Sequence, residues 1–441
     1  MRRIFPDYAY GPGPRGNCWW DDTAPAPDWP TQAESDRVDA TIIGAGFTGL
    51  SAALALAEAG ATVAVLEAGP PGWGASGRNG GFCCLGGSRI SERALARRAG
   101  RASAAAYWQA EHDAVDRVAR VLARYDIDAD THSQGETILA HRPRHMARLR
   151  RQARTLAAEG QPAQVTERED LVAQGMGGPF HGALTLPVGF ALNPRKYLFG
   201  LARAATAAGA RLYQDSPATS LLRDGAGWRV TTPRGSMAAD QVLVATNGYS
   251  SEDLPDWLSG RYLPAQSAVM VTRPLRDTER AAQGWTSGQM AYDTRNLLHY
   301  FRLMPDGRFL FGMRGGLLSS PRADAGNRQR LRRHFDAMFP AWRNVEATHM
   351  WAGFVCMTAA RTPFAGPVPD RPGLFAALGF HGNGVAMGSH AGALVAEEMA
   401  TGRAAPDCPD VIRRPPGRFP LGRFRRLLMP PLYAGLASTD L

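Results

Sequence analysis

Apolar and polar positions alternate most informatively between residues 38 and 67. An apolar run (Thr41, Ile42, Ile43) predicts a strand that opens into Gly44-Ala45-Gly46-Phe47-Thr48-Gly49. An alanine-rich stretch with helical spacing follows. A second apolar run (Val63, Ala64, Val65, Leu66) then ends on Glu67. Beyond it, residues 88 to 160 read as largely helical, most clearly from Arg101 to Tyr125. A further helix is expected from Leu198 to Ala208. Alternating segments after it predict strands at Arg211–Tyr213, Ala218–Leu222 and Trp228–Thr231. A buried strand from Gln241 to Val244 opens into Ala245-Thr246-Asn247-Gly248. From 262 to 350 strands dominate (Ala268–Thr272, Leu297–Leu303, Arg308–Gly312), with one helix near Asn327–Met338. A short apolar strand at 374–380 leads through Gly379-Phe380-His381-Gly382-Asn383-Gly384-Val385 into a helix of small residues, which Gly402 stops.

The first glycine turn carries recognisable chemistry. Gly44 permits the tight turn, Gly46 lets a pyrophosphate approach the backbone, and Gly49 lets helix and strand pack closely. The helix start aims unpaired N–H groups and a partial positive charge at the phosphates. Glu67 stands at the distance where an acid accepts hydrogen bonds from a ribose. Strand before, helix after and acid beyond together predict dinucleotide binding.

Composition narrows the rest. At 441 residues, 44% of them hydrophobic, the chain is long enough for two or three domains with large cores. No run of about 18 apolar residues is free of charge, so no membrane insertion is expected. The N-terminus lacks the apolar core of a secretion signal, which predicts a cytoplasmic protein. The five cysteines (Cys18, Cys83, Cys84, Cys356, Cys408) show no paired spacing, so neither a disulfide framework nor a metal site is expected. His141 and His145 are four apart, but Pro143 intervenes and no acidic partner is present.

The net charge of +10 is carried by arginine, because Lys196 is the only lysine. Most arginines are scattered and read as solvated faces. Two clusters stand out: 142–154, an exposed helix face, and the tail from Arg413 to Arg426. Lys196 begins a helix, where a surface role is expected rather than Schiff-base chemistry.

Four segments together resemble the D-amino-acid oxidase superfamily of FAD enzymes, within it the gamma-glutamylputrescine oxidase-like amine oxidoreductases. They are Gly44–Gly49 with Glu67, Trp73–Gly81, Val244–Gly248 and Gly379–Gly384. The resemblance covers nearly the whole chain. It implies an α/β fold with an α+β substrate part: a Rossmann-like FAD-binding domain interleaved with a mixed-sheet substrate domain. Residues 1–37 form an irregular N-terminal arm. Residues 38–87, 190–250 and 350–403 are assigned to FAD, 88–189 and 251–349 to substrate, and 404–441 to a basic tail.

The implied cofactor is FAD, held without a covalent bond. Besides the first turn, its expected contacts are Ala68, then Gly74, Ala75, Ser76, Arg78, Asn79, Gly80 and Gly81 along the flavin. Ala218 lies near the adenine. Ala245, Thr246, Asn247 and Gly248 follow, with Gly379, Gly382, Asn383, Gly384 and Val385 completing the set. The helix after Gly384 would set a positive dipole end near the flavin.

The implied reaction oxidises a C–N bond of an uncharged amine. Hydride passes to the flavin, the imine hydrolyses, and O2 or another acceptor takes the electrons. In amino-acid oxidases of the superfamily the segment matching Trp351–Val355 carries a carboxylate-clamping arginine; here that place holds Val355. The lysine of sarcosine-type oxidases is matched by Ala386. This favours an amine, or an amino acid held by another arginine, with Arg302 and Arg361 as candidates. His299, Tyr300, Tyr292, Trp351 and His381 are further pocket candidates. His381 leads, as a group that titrates near neutrality and takes the amine proton. Cys356 reads as a buried inert thiol, with a flavin tether as the alternative.

Two rival readings stay open. One is a flavin enzyme acting on a modified nucleic acid, motivated by the basic charge, although no nucleic-acid partner is expected. The other is a membrane-associated amine dehydrogenase, motivated by arginines that interleave with Phe419, Phe424, Leu427 and Leu428 in the tail.

Overall fold

The apolar run before the glycine turn becomes the strand Ser35–Ile43, the centre of a mostly parallel sheet. A computed structural model of the chain describes residues 1–440. Across the sheet the order is Phe364–Pro367, Leu374–Leu378, Ser236–Val244, Ser35–Ile43, Val63–Leu66 and Arg211–Tyr213. All neighbours in it are parallel except the first pair. Helices cover such a sheet on both faces, so its strands become continuous apolar runs. Val63–Leu66 and Leu374–Leu378 are accordingly buried at every residue. An antiparallel hairpin, Ser220–Asp224 with Gly227–Thr231, leans on Ser236–Val244.

The helix Phe47–Glu58 packs against Pro194–Ala207 and Ala386–Thr401. Its crossing with the latter is very close: a Cβ on Gly392 would stand 2.1 Å from the Thr48 carbonyl oxygen. The small residues at 386–401 therefore serve helix packing, and Gly402 ends that helix in a left-handed conformation.

The second sheet is mixed. Its order is Ala347–Thr358, Tyr262–Thr272, Phe309–Arg314, His299–Leu303, Met290–Asp293, Glu136–Leu139, Gly182–Leu186 and Gln164–Glu167. Only Met290–Asp293 with Glu136–Leu139 runs parallel. One face packs on an aromatic core that includes Trp285, Phe301, Phe309, Phe339 and Trp342.

Three stretches differ from the sequence reading. Residues 88–160 are not simply helical, because Glu136–Leu139 enters the second sheet between the helices Arg101–Arg124 and Pro143–Ala158. The helix Arg101–Arg124, assigned to the substrate part, packs on Ala386–Thr401 and buries Tyr107, Ala114 and Val118 in the first sheet's core. The segment 350–403 is divided: Ala347–Thr358 pairs along the whole of Tyr262–Thr272 in the second sheet, and only the strands Phe364–Pro367 and Leu374–Leu378 join the first. Local pattern identifies such strands but not the sheet that claims them.

The N-terminal arm is built into the body. The Trp20 indole N–H donates to the Asn79 carbonyl at 2.7 Å, and Arg15 donates to the carbonyls of Gly72 and Trp73 at 2.9 and 3.1 Å. The basic tail is packed too: Arg425 is fully buried, pairs with Glu252 and donates to the Tyr262 carbonyl at 2.7 Å. In the helix Pro143–Ala158, Arg144, Arg148, Arg150, Arg151 and Arg154 are exposed. Lys196 is half-buried, paired with Asp130. Among the described residues no helix is long and apolar enough to cross a membrane.

Candidate active site

A cavity of about 690 Å³ begins at the C-terminal ends of Ser35–Ile43 and Val63–Leu66 and continues onto the second sheet. Its first half is made of backbone. Gly44 has φ +105°, and a Cβ there would meet the Ala245 carbonyl at 3.0 Å. A Cβ on Gly46 would lie 2.9 Å from the Ser76 hydroxyl, so only glycine keeps this wall open. Ser76 Oγ accepts from the Phe47 N–H at 3.0 Å, which fastens the flavin-side loop to the helix start. The Glu67 carboxylate accepts from the N–H groups of Ala45 and Ala68 at 2.9 Å and of Gly69 at 3.3 Å. Burial raises the Glu67 carboxyl, while these three donors oppose the shift.

Ala68, Gly74, Ala75, Ser76, Arg78, Asn79 and Gly80 line the middle of the cavity, with Thr48, Ala218, Ala245, Thr246 and Asn247 around its dinucleotide end. Arg78 is buried, donates to the carbonyls of Trp73 at 2.9 Å and Ala352 at 3.1 Å, and lies over the rings of Trp73 and Tyr249. Asn79 bridges the Ser76 carbonyl at 2.9 Å and the Gly81 N–H at 2.8 Å. Opposite, Gly382, Asn383, Gly384 and Val385 line the wall ahead of the helix Ala386–Thr401. Asn383 Nδ2 donates to the Cys84 carbonyl at 2.6 Å, while its Oδ1 is buried without a partner.

Gly49, Gly81, Gly248 and Gly379 shape the site from behind, as they do not line the cavity. A Cβ on Gly49 would stand 1.9 Å from the Gly44 carbonyl oxygen, and one on Gly81 2.0 Å from that of Leu192. Gly248 packs under Phe354, and the Gly379 N–H donates to Asn247 Oδ1 at 2.9 Å.

The remaining half is polar side chain on a β framework. His381 and Tyr300 line it, and so does Tyr292. His381 has φ +52°, its N–H donates to the Cys356 carbonyl at 3.0 Å, and its Nδ1 is buried without a partner. Its expected titration near neutrality is corrected by the structure. Burial, then Arg314 and Arg89, push the imidazole down to about 3, so the ring is neutral at neutral pH. The Tyr300 and Ser267 hydroxyls lie 3.1 Å apart.

His299, Arg302 and Trp351 are corrected too, since none lines the cavity. His299 Nδ1 pairs with buried Asp293 at 2.7 Å and its Nε2 meets His334 at 2.8 Å. Arg302 donates to the Leu192 carbonyl at 2.8 Å and His132 Nε2 at 3.1 Å, and burial pushes it down to about 9. The Trp351 indole N–H donates to the Arg78 carbonyl at 2.7 Å. His299 stacks on Phe311 on the far side of the sheet, whereas Arg302 and Trp351 lie on the face of Tyr300 beneath Trp20 of the arm. Arg361 is exposed at φ +62° and lies outside the cavity. Cys356 lines the cavity at 1% exposure, and burial pushes its thiol up to about 12.

Sequence reasoning missed Arg314, Glu136 and the arm residues Arg3 and Tyr10, all of which line the cavity. Arg314 ends the strand Phe309–Arg314, and its Nη2 donates to the His381 carbonyl at 2.9 Å. Burial, with Arg89 nearby, pushes it down to about 9. Its signal was an arginine closing an apolar strand before Gly315-Gly316. Glu136 was hidden in a stretch read as helical.

The model of the family of FAD-dependent oxidoreductases known as DAO matches residues 39–398. The chain belongs to that family. Among relatives, the probable oxidoreductase OrdL of Rhizobium meliloti is 30% identical over 419 residues, covering 94% of this chain and 95% of its own. The gamma-glutamylputrescine oxidoreductase of Escherichia coli is 29% identical over 368 residues, covering 83% and 84%. The crystal structure of glycine oxidase from Geobacillus kaustophilus superposes with a TM-score of 0.69 at 22% identity, covering 84% and 96%. The DAO fold is thus common to both chains. The glycine cradle fits FAD: a Cβ at Gly44 or Gly46 would close the wall that a pyrophosphate must approach, and the adjoining wall carries the unpartnered Asn383 Oδ1. Among the described residues no group of His, Cys, Asp and Glu is arranged to hold a metal ion.

Proposed function

We propose that this oxidoreductase uses non-covalently held FAD to oxidise a C–N bond in an amine or amino-acid-like substrate. The observation that carries the reading is the continuity of one cavity, from the Gly44–Ser76 cradle to the polar end at His381, Tyr300 and Arg314. The relative named for oxidising gamma-glutamylputrescine supports the amine class.

FAD, when bound, supplies the hydride acceptor. Gly44–Gly49 would hold its pyrophosphate, while Ser76–Gly80 and Gly382–Val385 would flank the ring. The chain's own part is to bind, orient and keep water out. The amine must be uncharged when hydride leaves its α-carbon. His381 is neutral and has an unpartnered Nδ1, so its ring can hydrogen-bond and orient the amine without exchanging a proton with it. Arg314 faces the same space as a cation and suits a substrate carboxylate. Val355 lines the cavity without charge, so that contact falls to Arg314 rather than to the family's usual place.

Anaerobic mixing of the yellow protein with a panel of amines and amino acids tests the reading. Bleaching of the flavin band by at least one of them is expected, followed by recovery of colour when O2 or an artificial acceptor is admitted. Bleaching by NADPH alone would overturn it.

A further inference from the structure

Glu136 is 2% exposed, lines the cavity, and holds its Oε2 buried without a hydrogen-bond partner. No Lys, Arg or His is paired with it among the described residues. A buried carboxyl in that state is costly unless it stays protonated or meets a cation. The groups facing it are neutral or acidic: Cys84 after the strand Phe82–Cys83, Tyr292 on Met290–Asp293, and Glu111 on Arg101–Arg124. Arg148, on the helix Pro143–Ala158, bears on Tyr292. The neighbouring strand Gly182–Leu186 carries no titratable side chain. Burial lifts the Glu136 carboxyl to about 8, with Glu111 adding to the rise and Cys84 and Tyr292 opposing it. Glu111 offers a contrast. It is also buried, with burial lifting it to about 7 and its Oε1 unpartnered, but it does not line the cavity.

We infer that Glu136 is a specificity residue that receives an ammonium group of the substrate other than the amine being oxidised, completing a buried ion pair that the protein leaves half-made. The inference rests on the amine reading above and adds the group that selects for a cation. A substrate ammonium entering the cavity displaces the proton from Glu136 and donates to Oε2. A neutral molecule of the same shape leaves that oxygen unpaired, and the site rejects it by the cost of the missing hydrogen bond.

tert-Butylammonium has no α-hydrogen to lose, and tert-butanol is its neutral isostere. Both are titrated into the FAD-loaded enzyme while the visible flavin band is followed. The wild type is expected to bind the cation at least tenfold more tightly than the alcohol. Its affinity for the cation should rise as pH climbs through about 8, since the carboxylate is the binding form and an alkylammonium keeps its proton to about pH 10. E136Q should lose most of the preference and the pH dependence while retaining FAD, and E111Q should keep both. Melting temperature and flavin content verify that the variants are folded, and the wild-type pH dependence is read without any variant. A wild type that shows no preference for the cation, or an E136Q enzyme that keeps it, overturns the inference. Failure of every amine to bleach the wild-type flavin instead strikes the amine reading and leaves the binding result to be read separately.

Discussion

The two ends of the cavity are built from different materials. The dinucleotide end is backbone: turns at Gly44 and Gly46, N–H groups held by Glu67, and one loop fastened by Ser76. The far end is side chain: His381 from a loop, Tyr300 and Arg314 from neighbouring strands, and Glu136 from a strand further along the same sheet. A backbone cradle tolerates few residue types and leaves a fixed spacing in the sequence. A side-chain wall needs only position, which many distant segments can supply.

If the contrast holds, changes at the two ends should differ in kind. The largest effect is expected from Gly49→Val. Its Cβ would stand 1.9 Å from the Gly44 carbonyl oxygen, a backbone atom that cannot give way. A loss on the order of 3 kcal/mol in stability is expected, together with nearly all bound flavin. Thermal melting and the visible spectrum of the purified protein check both. Next comes Glu67→Ala, which strips the acceptor from the N–H groups of Ala45, Ala68 and Gly69. Denaturant unfolding should show a loss of about 1–3 kcal/mol, with weaker FAD binding on dilution. Unchanged FAD affinity would break the assignment of Glu67 to the cradle.

Arg314→Met should act at the other end alone. For substrates bearing a carboxylate, KM should rise about 10- to 100-fold, with flavin content unchanged and little effect on plain amines. An equal loss for both substrate kinds would give Arg314 a structural role beneath His381 instead. The smallest effect is expected from His381→Gln. With its imidazole pushed down to about 3, the ring does not titrate in the working range. The pH profile of kcat between about pH 5 and 9 should keep its shape, and the rate should fall less than about tenfold, below the span of general acid–base catalysis. Disappearance of an ionisation near neutrality would restore His381 as a base.

Much of the first sheet was legible because a helix-covered parallel strand is a continuous apolar run. Val63–Leu66 and Leu374–Leu378 betray themselves this way, and Ser35–Ile43 does so only in its last four residues, after an exposed and charged start. In the second sheet only Ala268–Thr272, Leu297–Leu303 and Arg308–Gly312 were legible, and those without their order. Most of Ala347–Thr358 was assigned to FAD with the rest of 350–403, yet its hydrogen bonds go to Tyr262–Thr272. Glu136 was illegible for a similar reason. A strand of four residues between two long helices has little period of its own, and its parallel partner Met290–Asp293 is far away in the chain. His299, Arg302 and Trp351 have the chemistry of a site, but His299 turns to the aromatic core on the other face of its strand, while Arg302 and Trp351 share the face of Tyr300 and are covered by Trp20 of the N-terminal arm.

By itself, the sequence determined the cofactor, because a phosphate approached by backbone demands glycines at set intervals and an acid at a set distance. Only the tertiary structure decided which ionisable groups line the cavity. Arg314 rather than Arg302 lines it, and Glu136 lines it with a buried, unpartnered oxygen. The reason is physical: Arg302 and Arg314 emerge on one face of the sheet, and which of them the N-terminal arm covers and which opens to the cavity is set by packing between distant segments, which no local pattern records.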